Sequence, residues 1–360
     1  MSPSSAAASL APRTLAFQAE ERNVFFHILT ACNLACRHCY INPAQHGRAT
    51  LPEATVAKWL ALFVRPDRRA NLILLGGEPT LHPGLPAIVK TARALGYQSV
   101  TVDTNGYLHH DLLSRITPEE AVLSFSLDGP SAEVNDPLRG PGVFAVCTEG
   151  LARAVTAGFE VSVICTVSAA NIEHLHRMPV LLKSLGVRHF FIQVIGLRGH
   201  SAEAGLAPLQ VGHRQWLDTV PQVAREAARL GLHVIYPKVF LDPDEPFLCA
   251  GQAAENFFIF PNGRVYRCPL CEDYPLHALQ IEDGRLASRP GLTEQGLFTL
   301  SIPEGCVMNQ LLQPGDIEYL ADGRPRHRIS CCLLKQELNP LTTPPQSCRL
   351  TVATKSRRFP

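Results

Sequence analysis

From about residue 23 the chain alternates short β-branched runs with stretches of helical spacing. NVFFHILT (23–30) reads as a strand, and PEATVAKWLALFV (52–64) repeats its apolar positions every three or four residues, as a helix does. NLILLGG (71–77), QSVTVDTNG (98–106), AVLSFSLDG (121–129), EVSVICTVS (160–168) and RHFFIQVIG (188–196) read as five more strands. Between them lie the helical patterns LPAIVKTARALG (85–96), HHDLLSRI (109–116), GVFAVCTEGLARAVTAG (142–158) and IEHLHRMPVLLKSLG (172–186). The strands are nearly continuously apolar, which predicts helices packed on the outside. Six strand–helix repeats predict an α/β fold with a parallel sheet, open or curled toward a barrel.

Function in such sheets gathers at the carboxyl ends of the strands, and those ends carry chemistry here. ACNLACRHCY (31–40) follows the first strand, GGEPTLHP (76–83) the second and DTNG (103–106) the third. The fourth runs into FSLDGP with NDPLRG close behind, and the sixth ends at Gln193.

Beyond residue 200 the pattern changes. Residues 201–240 read as helical with a short final strand, and FFIFPNGRVYRC (257–268) as a hairpin about Asn262–Gly263. The expected division is a disordered tail over 1–21, a core over 22–200, a helical linker over 201–240, a cysteine-rich extension over 241–345 and a frayed tail over 346–360.

Among 360 residues, 33 Lys and Arg balance 32 Asp and Glu. This near-neutral balance argues against nucleic acid or an anionic membrane as the main partner. The amino-terminal segment is small-residue-rich and broken by Pro3, Pro12 and Arg13, unlike a signal peptide. A cytoplasmic setting is therefore expected, where twelve cysteines serve metal binding or catalysis more often than disulfides. Cys147 and Cys165 lie in apolar-periodic segments and read as small buried hydrophobes. His109, His110, His174 and His176 fall in helical segments and read as helix-face residues.

Cys32, Cys36 and Cys39, spaced C-x3-C-x2-C, leave three readings open. Zinc is one, with Cys36–Cys39 and Cys268–Cys271 as paired knuckles, although Cys32 would then be idle. A redox C-x-x-C also leaves one thiol over. A [4Fe–4S] cubane normally takes four thiolates, so three local ones would leave an iron open to another ligand.

C-x3-C-x2-C after the first strand, with His38 before the third cysteine, resembles the radical S-adenosylmethionine (SAM) enzymes. GGEP, SLDG, NDPLRG and FIQVIG follow in the matching order over residues 22–200. The resemblance implies a partial (β/α)6 barrel and a [4Fe–4S] cluster on Cys32, Cys36 and Cys39. It implies SAM on the open iron, cleaved to a 5′-deoxyadenosyl radical that abstracts hydrogen. Gly76, Gly77 and Glu78 would meet the SAM amino group, Ser126 and Asp128 the ribose, Arg139 the carboxylate and Gln193 the adenine. Read structurally, Arg139 would instead pair with Asp136, and His38 would either pack on the cluster or sit at the solvent edge.

Cys249, Gly263 and Cys268 have the spacing that opens the SPASM and Twitch extensions of that family. The dense C-x2-C-x5-C-x3-C block of a full SPASM extension is absent. Cys249, Cys268 and Cys271 are therefore expected to hold one auxiliary cluster, with the fourth ligand among Cys306, Cys331 and Cys332. Buried structural cysteines or a zinc site are the alternative for the same residues. The resemblance further implies a peptide or small-molecule substrate and a one-electron donor such as a flavodoxin or ferredoxin. Only about twenty residues precede the barrel, so any leader-peptide-binding domain is expected to be a separate protein. An iron–sulfur or zinc protein that only binds or transfers electrons is the alternative function.

Overall fold

The computed structural model describes residues 10–106, 111–202, 209–312 and 317–340. Its strands are β1 Arg13–Leu15, β2 Glu21–His27, β3 Arg69–Leu75, β4 Ser99–Thr104, β5 Val122–Ser126 and β6 Val161–Val167. They continue as β7 His189–Val194, β8 His233–Pro237, β9 Phe240–Leu241, β10 Glu255–Ile259, β11 Arg264–Tyr266 and β12 Leu279–Glu282. The last three are β13 Arg285–Ser288, β14 Arg328–Ile329 and β15 Lys335–Leu338.

The six strands expected from the pattern are β2 to β7. They pair in parallel and in chain order, with helices Glu53–Ala61, Leu85–Ala94 and Val143–Thr156 among the crossovers. Alternate residues such as Val24, Phe26, Leu72, Leu74, Val100, Val102, Phe125, Val163 and Ile192 are buried in one core with the helices. Burying a side chain of this size stabilises the fold by about 1.5–3 kcal/mol.

The opposite face corrects the expectation of continuously apolar strands. This inner face mixes Phe25, Ile73, Ile164 and Phe191 with Asn23, Asn71, Ser99, Asp103, Ser124, Thr166 and Gln193. Asn256, Asn23, Asn71 and Ser99 stand in register on four neighbouring strands. They are joined side chain to side chain by hydrogen bonds of 3.1, 3.1 and 2.9 Å. Each polar group there finds a partner on the next strand, which offsets its desolvation.

Three expected boundaries give way. Within the tail expected over 1–21, β1 pairs antiparallel with β15, because Thr14 and Leu15 find strand partners in Gln336 and Lys335. Within the expected linker, helix His213–Arg229 is followed by β8, which joins β7 as a seventh parallel strand. The expected extension is not separate from the sheet: β10 pairs parallel with β2, with Phe25 stacked on Phe258 at 4.5 Å. The hairpin forms as expected, β10 to β11 through Gly263 at φ +81°, where Asn-Gly supplies the left-handed turn residue. The expected tail over 346–360, Cys348, His109 and His110 lie outside the described residues.

Candidate metal centre

The loop after β2 places Cys32, Cys36 and Cys39 at the carboxyl edge of the parallel strands, exposed to half-buried. The thiols lie within electrostatic reach of one another, and burial pushes Cys36 up to about 11 against the pull of Arg139. Cys32 Sγ accepts from Leu34 N at 3.4 Å.

Two buried side-chain knots lie beside the loop, the first reaching it through Asn105 and the second through His38. In the first, Glu78 is 1% exposed, and both its oxygens are taken. Oε1 accepts from Thr80 N, Thr80 Oγ1 and Thr104 Oγ1 at 3.0, 2.7 and 2.8 Å, and Oε2 from Asn105 N at 2.7 Å. The carboxylate expected to meet an amino group is thus held inside the protein. The glycines before it are needed for close approach. A Cβ on Gly77 would lie 2.3 Å from the Ala31 carbonyl oxygen, and one on Gly76 2.6 Å from that of Leu29.

The second knot is Asp128, whose side chain is fully buried. Its Oδ2 lies 2.6 Å from Arg139 Nε and 3.0 Å from His38 Nε2, and its Oδ1 accepts from Thr166 N at 2.7 Å. Burial opposes ionisation, but Arg139 and His38 hold Asp128 well below the usual carboxylate range. Arg139 in turn is held above its ordinary value, with burial outweighed by Asp128. Arg139 therefore pairs with Asp128 and not with Asp136, which caps Gly142 N and Phe144 N at 2.8 Å each. His38 is not a solvent-edge residue: its side chain is 10% exposed, and its buried Nδ1 has no hydrogen-bond partner among the described residues.

Ser126 and Gln193 lie half-buried at the carboxyl ends of β5 and β7, on the inner face. Lys335 Nζ reaches Gln193 Oε1 at 3.2 Å and the Cys332 carbonyl at 3.1 Å. Burial pulls this ammonium down to about 8. Asp103 also faces inward, and burial pushes it up to about 7 despite a hydrogen bond from Ser124. The roles of Lys335, Asp103 and Asn105 escaped the sequence reading. Asn105 Nδ2 donates to Asn33 Oδ1 at 2.7 Å inside the cysteine loop. Lys335 carried one signal, a cation just after Cys331–Cys332.

The second set of thiols also comes together. Electrostatic contacts link Cys249, Cys268, Cys306, Cys331 and Cys332, and Cys268 hydrogen-bonds Cys271. Cys306, Cys331 and Cys332 each lie within electrostatic reach of Cys268. A hydrogen bond from Cys332 carries Cys331 below the ordinary thiol range. Cys147 and Cys165 are fully buried, as expected of small hydrophobes, and His174 and His176 are exposed.

The segment after β7 joins the two sets. Arg198 lies 4.9 Å over the Tyr40 ring and pairs with Glu272 at 2.9 Å. Gly199 N donates to Asp273 at 2.9 Å, and His200 N to the Cys39 carbonyl at 2.8 Å. Tyr40 follows Cys39 and Glu272 follows Cys271, so one short segment clasps both cysteine regions.

Among the described residues, no three His, Cys, Asp or Glu side chains converge on one metal ion. Zinc would draw its thiolates to about 2.3 Å from a single centre. A cubane binds each thiolate through a separate iron, and Cys32, Cys36 and Cys39 would supply three of its usual four.

Residues 27–178 match the model of the Radical SAM superfamily. The mycofactocin maturase MftC of Mycobacterium tuberculosis is 31% identical over 281 residues, 71% of this chain and 66% of that protein. The AdoMet-dependent heme synthase of Oleidesulfovibrio alaskensis is 29% identical over 51% of this chain and 48% of its own length. The chain thus spans about half to two thirds of these relatives. SuiB of Streptococcus suis superposes with a TM-score of 0.57 at 14% identity, covering 71% of this chain and 61% of that one. The enzyme anSMEcpe with bound AdoMet gives 0.57 at 14% identity, covering 81% and 83%. No helix among the described residues is long and apolar enough to cross a membrane.

Proposed function

We infer that this chain, which belongs to the radical SAM superfamily of iron–sulfur enzymes, cleaves SAM reductively and uses the resulting radical to modify a peptide. The reading rests on one observation: a single loop at the carboxyl edge of the parallel strands presents Cys32, Cys36 and Cys39 together, short of a complete four-thiol set. A [4Fe–4S] cluster held by Cys32, Cys36 and Cys39 would supply the one-electron reduction that splits SAM into methionine and a hydrogen-abstracting 5′-deoxyadenosyl radical.

The chain's own residues have distinct parts. The three thiols hold the cluster. Glu78 and the Asp128–Arg139–His38 knot fix the loop that carries them, so Glu78, Asp128 and Arg139 act on SAM chiefly by positioning. The backbone carbonyls of Gly76 and Gly77 suit an ammonium group. Ser126 and Gln193 face the space that a nucleoside would fill, with Lys335 orienting Gln193. Cys249, Cys268 and Cys271, with one of Cys306, Cys331 and Cys332, hold an auxiliary cluster in an extension over 241–345. Arg198 keeps that extension against the first loop.

A peptide substrate is favoured over a small molecule because SuiB was solved with the precursor peptide SuiA and anSMEcpe with the Kp18Cys peptide. A flavodoxin or ferredoxin would supply the electron, and a separate protein would present any leader sequence. The test is anaerobic reconstitution with iron and sulfide, reduction, addition of SAM and measurement of 5′-deoxyadenosine. Formation of 5′-deoxyadenosine that is lost in Cys36→Ala supports the reading. An intact cluster that releases none sinks it in favour of a binding or electron-transfer protein.

A further inference from the structure

At the amino ends of the strands, opposite the cysteines, two histidines meet. His189 opens β7, His233 opens β8, and the two are register partners on adjacent strands. Their Nδ1 atoms are 3.1 Å apart, with the rings at 83°. The far nitrogen of each ring faces a carboxylate. His189 Nε2 lies 3.0 Å from Glu160 Oε1, and His233 Nε2 lies 2.8 Å from Glu337 Oε1.

The row Glu160–His189–His233–Glu337 thus contains three close polar contacts. Each needs a hydrogen between its atoms, and carboxylates bring none. Two neutral imidazoles supply two hydrogens, one per ring. One contact is therefore left with two acceptors face to face until a further cation enters. If each ring donates to its carboxylate, the two Nδ1 lone pairs face each other.

We propose that His189 Nδ1 and His233 Nδ1 bind a late first-row divalent metal ion such as Zn2+ or Ni2+. Imidazole suits these ions. At metal–nitrogen distances of about 2.05 Å, a 3.1 Å separation gives an angle near 98° at the metal, between octahedral and tetrahedral values. A carboxylate behind each ring is the usual second partner of a metal-bound histidine, fixing its tautomer and strengthening it as a ligand. His189 is 37% exposed and His233 22%, so water reaches the site to complete the coordination.

A proton is the competing cation. Burial and the neighbouring charges of His233 and Arg188 lower the affinity of His189 for it, against the pull of Glu160. Glu337 also accepts from Arg13 Nε on β1 at 3.2 Å. These groups surround the pair: Glu160, Arg188, Glu337 and Arg13.

The test uses protein with its cysteine sites already loaded with iron and sulfide. Ni2+ is titrated calorimetrically at pH 7.5, and the bound ion is read by X-ray absorption. The expected result is one equivalent of Ni2+ with two imidazole ligands, bound at least tenfold more weakly by His189→Gln and by His233→Gln. Glu160→Gln should weaken binding about tenfold, and uptake should fall below about pH 6.5 as protons compete. Iron content and melting temperature check that each variant has folded. Equal Ni2+ uptake by wild type and both histidine variants overturns the proposal. So does no uptake by the wild type, which would leave a shared proton as the cation. Neither result depends on whether the chain cleaves SAM.

Discussion

Replacing Asp128 by Asn tests whether the buried ion pair, rather than a bound ligand, is what Arg139 serves. Asp128 is fully buried and Arg139 8% exposed in their side chains, with 2.6 Å between them. Asn keeps the shape and still accepts from Thr166 N, but it leaves the guanidinium buried without a counter-charge. Breaking a buried pair from one side costs about 3–5 kcal/mol. At about 2.1 cal/mol/K per residue, 360 residues give a melting entropy of about 0.76 kcal/mol/K. The expected fall in melting temperature is therefore about 4–7 °C. Removing both charges in Asp128→Asn/Arg139→Met should restore at least half of it, because replacing a whole buried pair is often close to neutral. The assay is differential scanning fluorimetry of wild type, both single variants and the double at matched iron content, with SAM affinity measured alongside. Asp128 is depressed in the folded state, so its contribution is present above the unfolded value near 3.9 and is lost as pH falls toward the folded one. The penalty should thus be full at pH 7 and shrink below about pH 4. A single variant within about 1 °C of wild type, or a double variant as unstable as the two losses combined, refutes the reasoning.

Glu78→Gln should destabilise by several kcal/mol, because an amide NH2 faces backbone and hydroxyl donors and hydrogen bonds to a charged group contribute about 1.5–3 kcal/mol each; denaturant midpoints check it. Asp103→Asn should raise the melting temperature at pH 8, by less at pH 5, and change little below about pH 4. A raised carboxyl such as Asp103 is easily kept neutral below about 7 and costs stability as pH rises past its unfolded value. The triple variant Cys32→Ala/Cys36→Ala/Cys39→Ala, reconstituted anaerobically, should retain about four irons per chain. Iron near zero would remove the auxiliary cluster.

The sequence alone determined the repeating strands and helices, the hairpin at Asn262–Gly263 and the cysteine loop at a strand's carboxyl end. Those signals are local. A strand's apolar run, an Asn-Gly turn and a C-x3-C-x2-C spacing lie within a few residues of one another, and short-range geometry fixes them. Tertiary structure decided the partners. Asp128 meets His38 only when the loop after β2 folds over the end of β5, while Arg139 reaches it from the end of helix Ala132–Arg139. Lys335 reaches Gln193 only because β15 lies beside β8, which in turn pairs with β7. The polar row on the inner face was illegible for the same reason. Asn23, Asn71 and Asn256 are far apart in the chain and look like separate interruptions of apolar runs. Asn71 meets Asn23 when β3 pairs with β2, and Asn256 joins the row only after β10 docks on β2, a contact between residues more than two hundred positions apart. Which acid or base is buried, and what neutralises it, depends on such distant contacts, so the sequence could nominate Glu78, Asp128 and Arg139 without saying what each one holds.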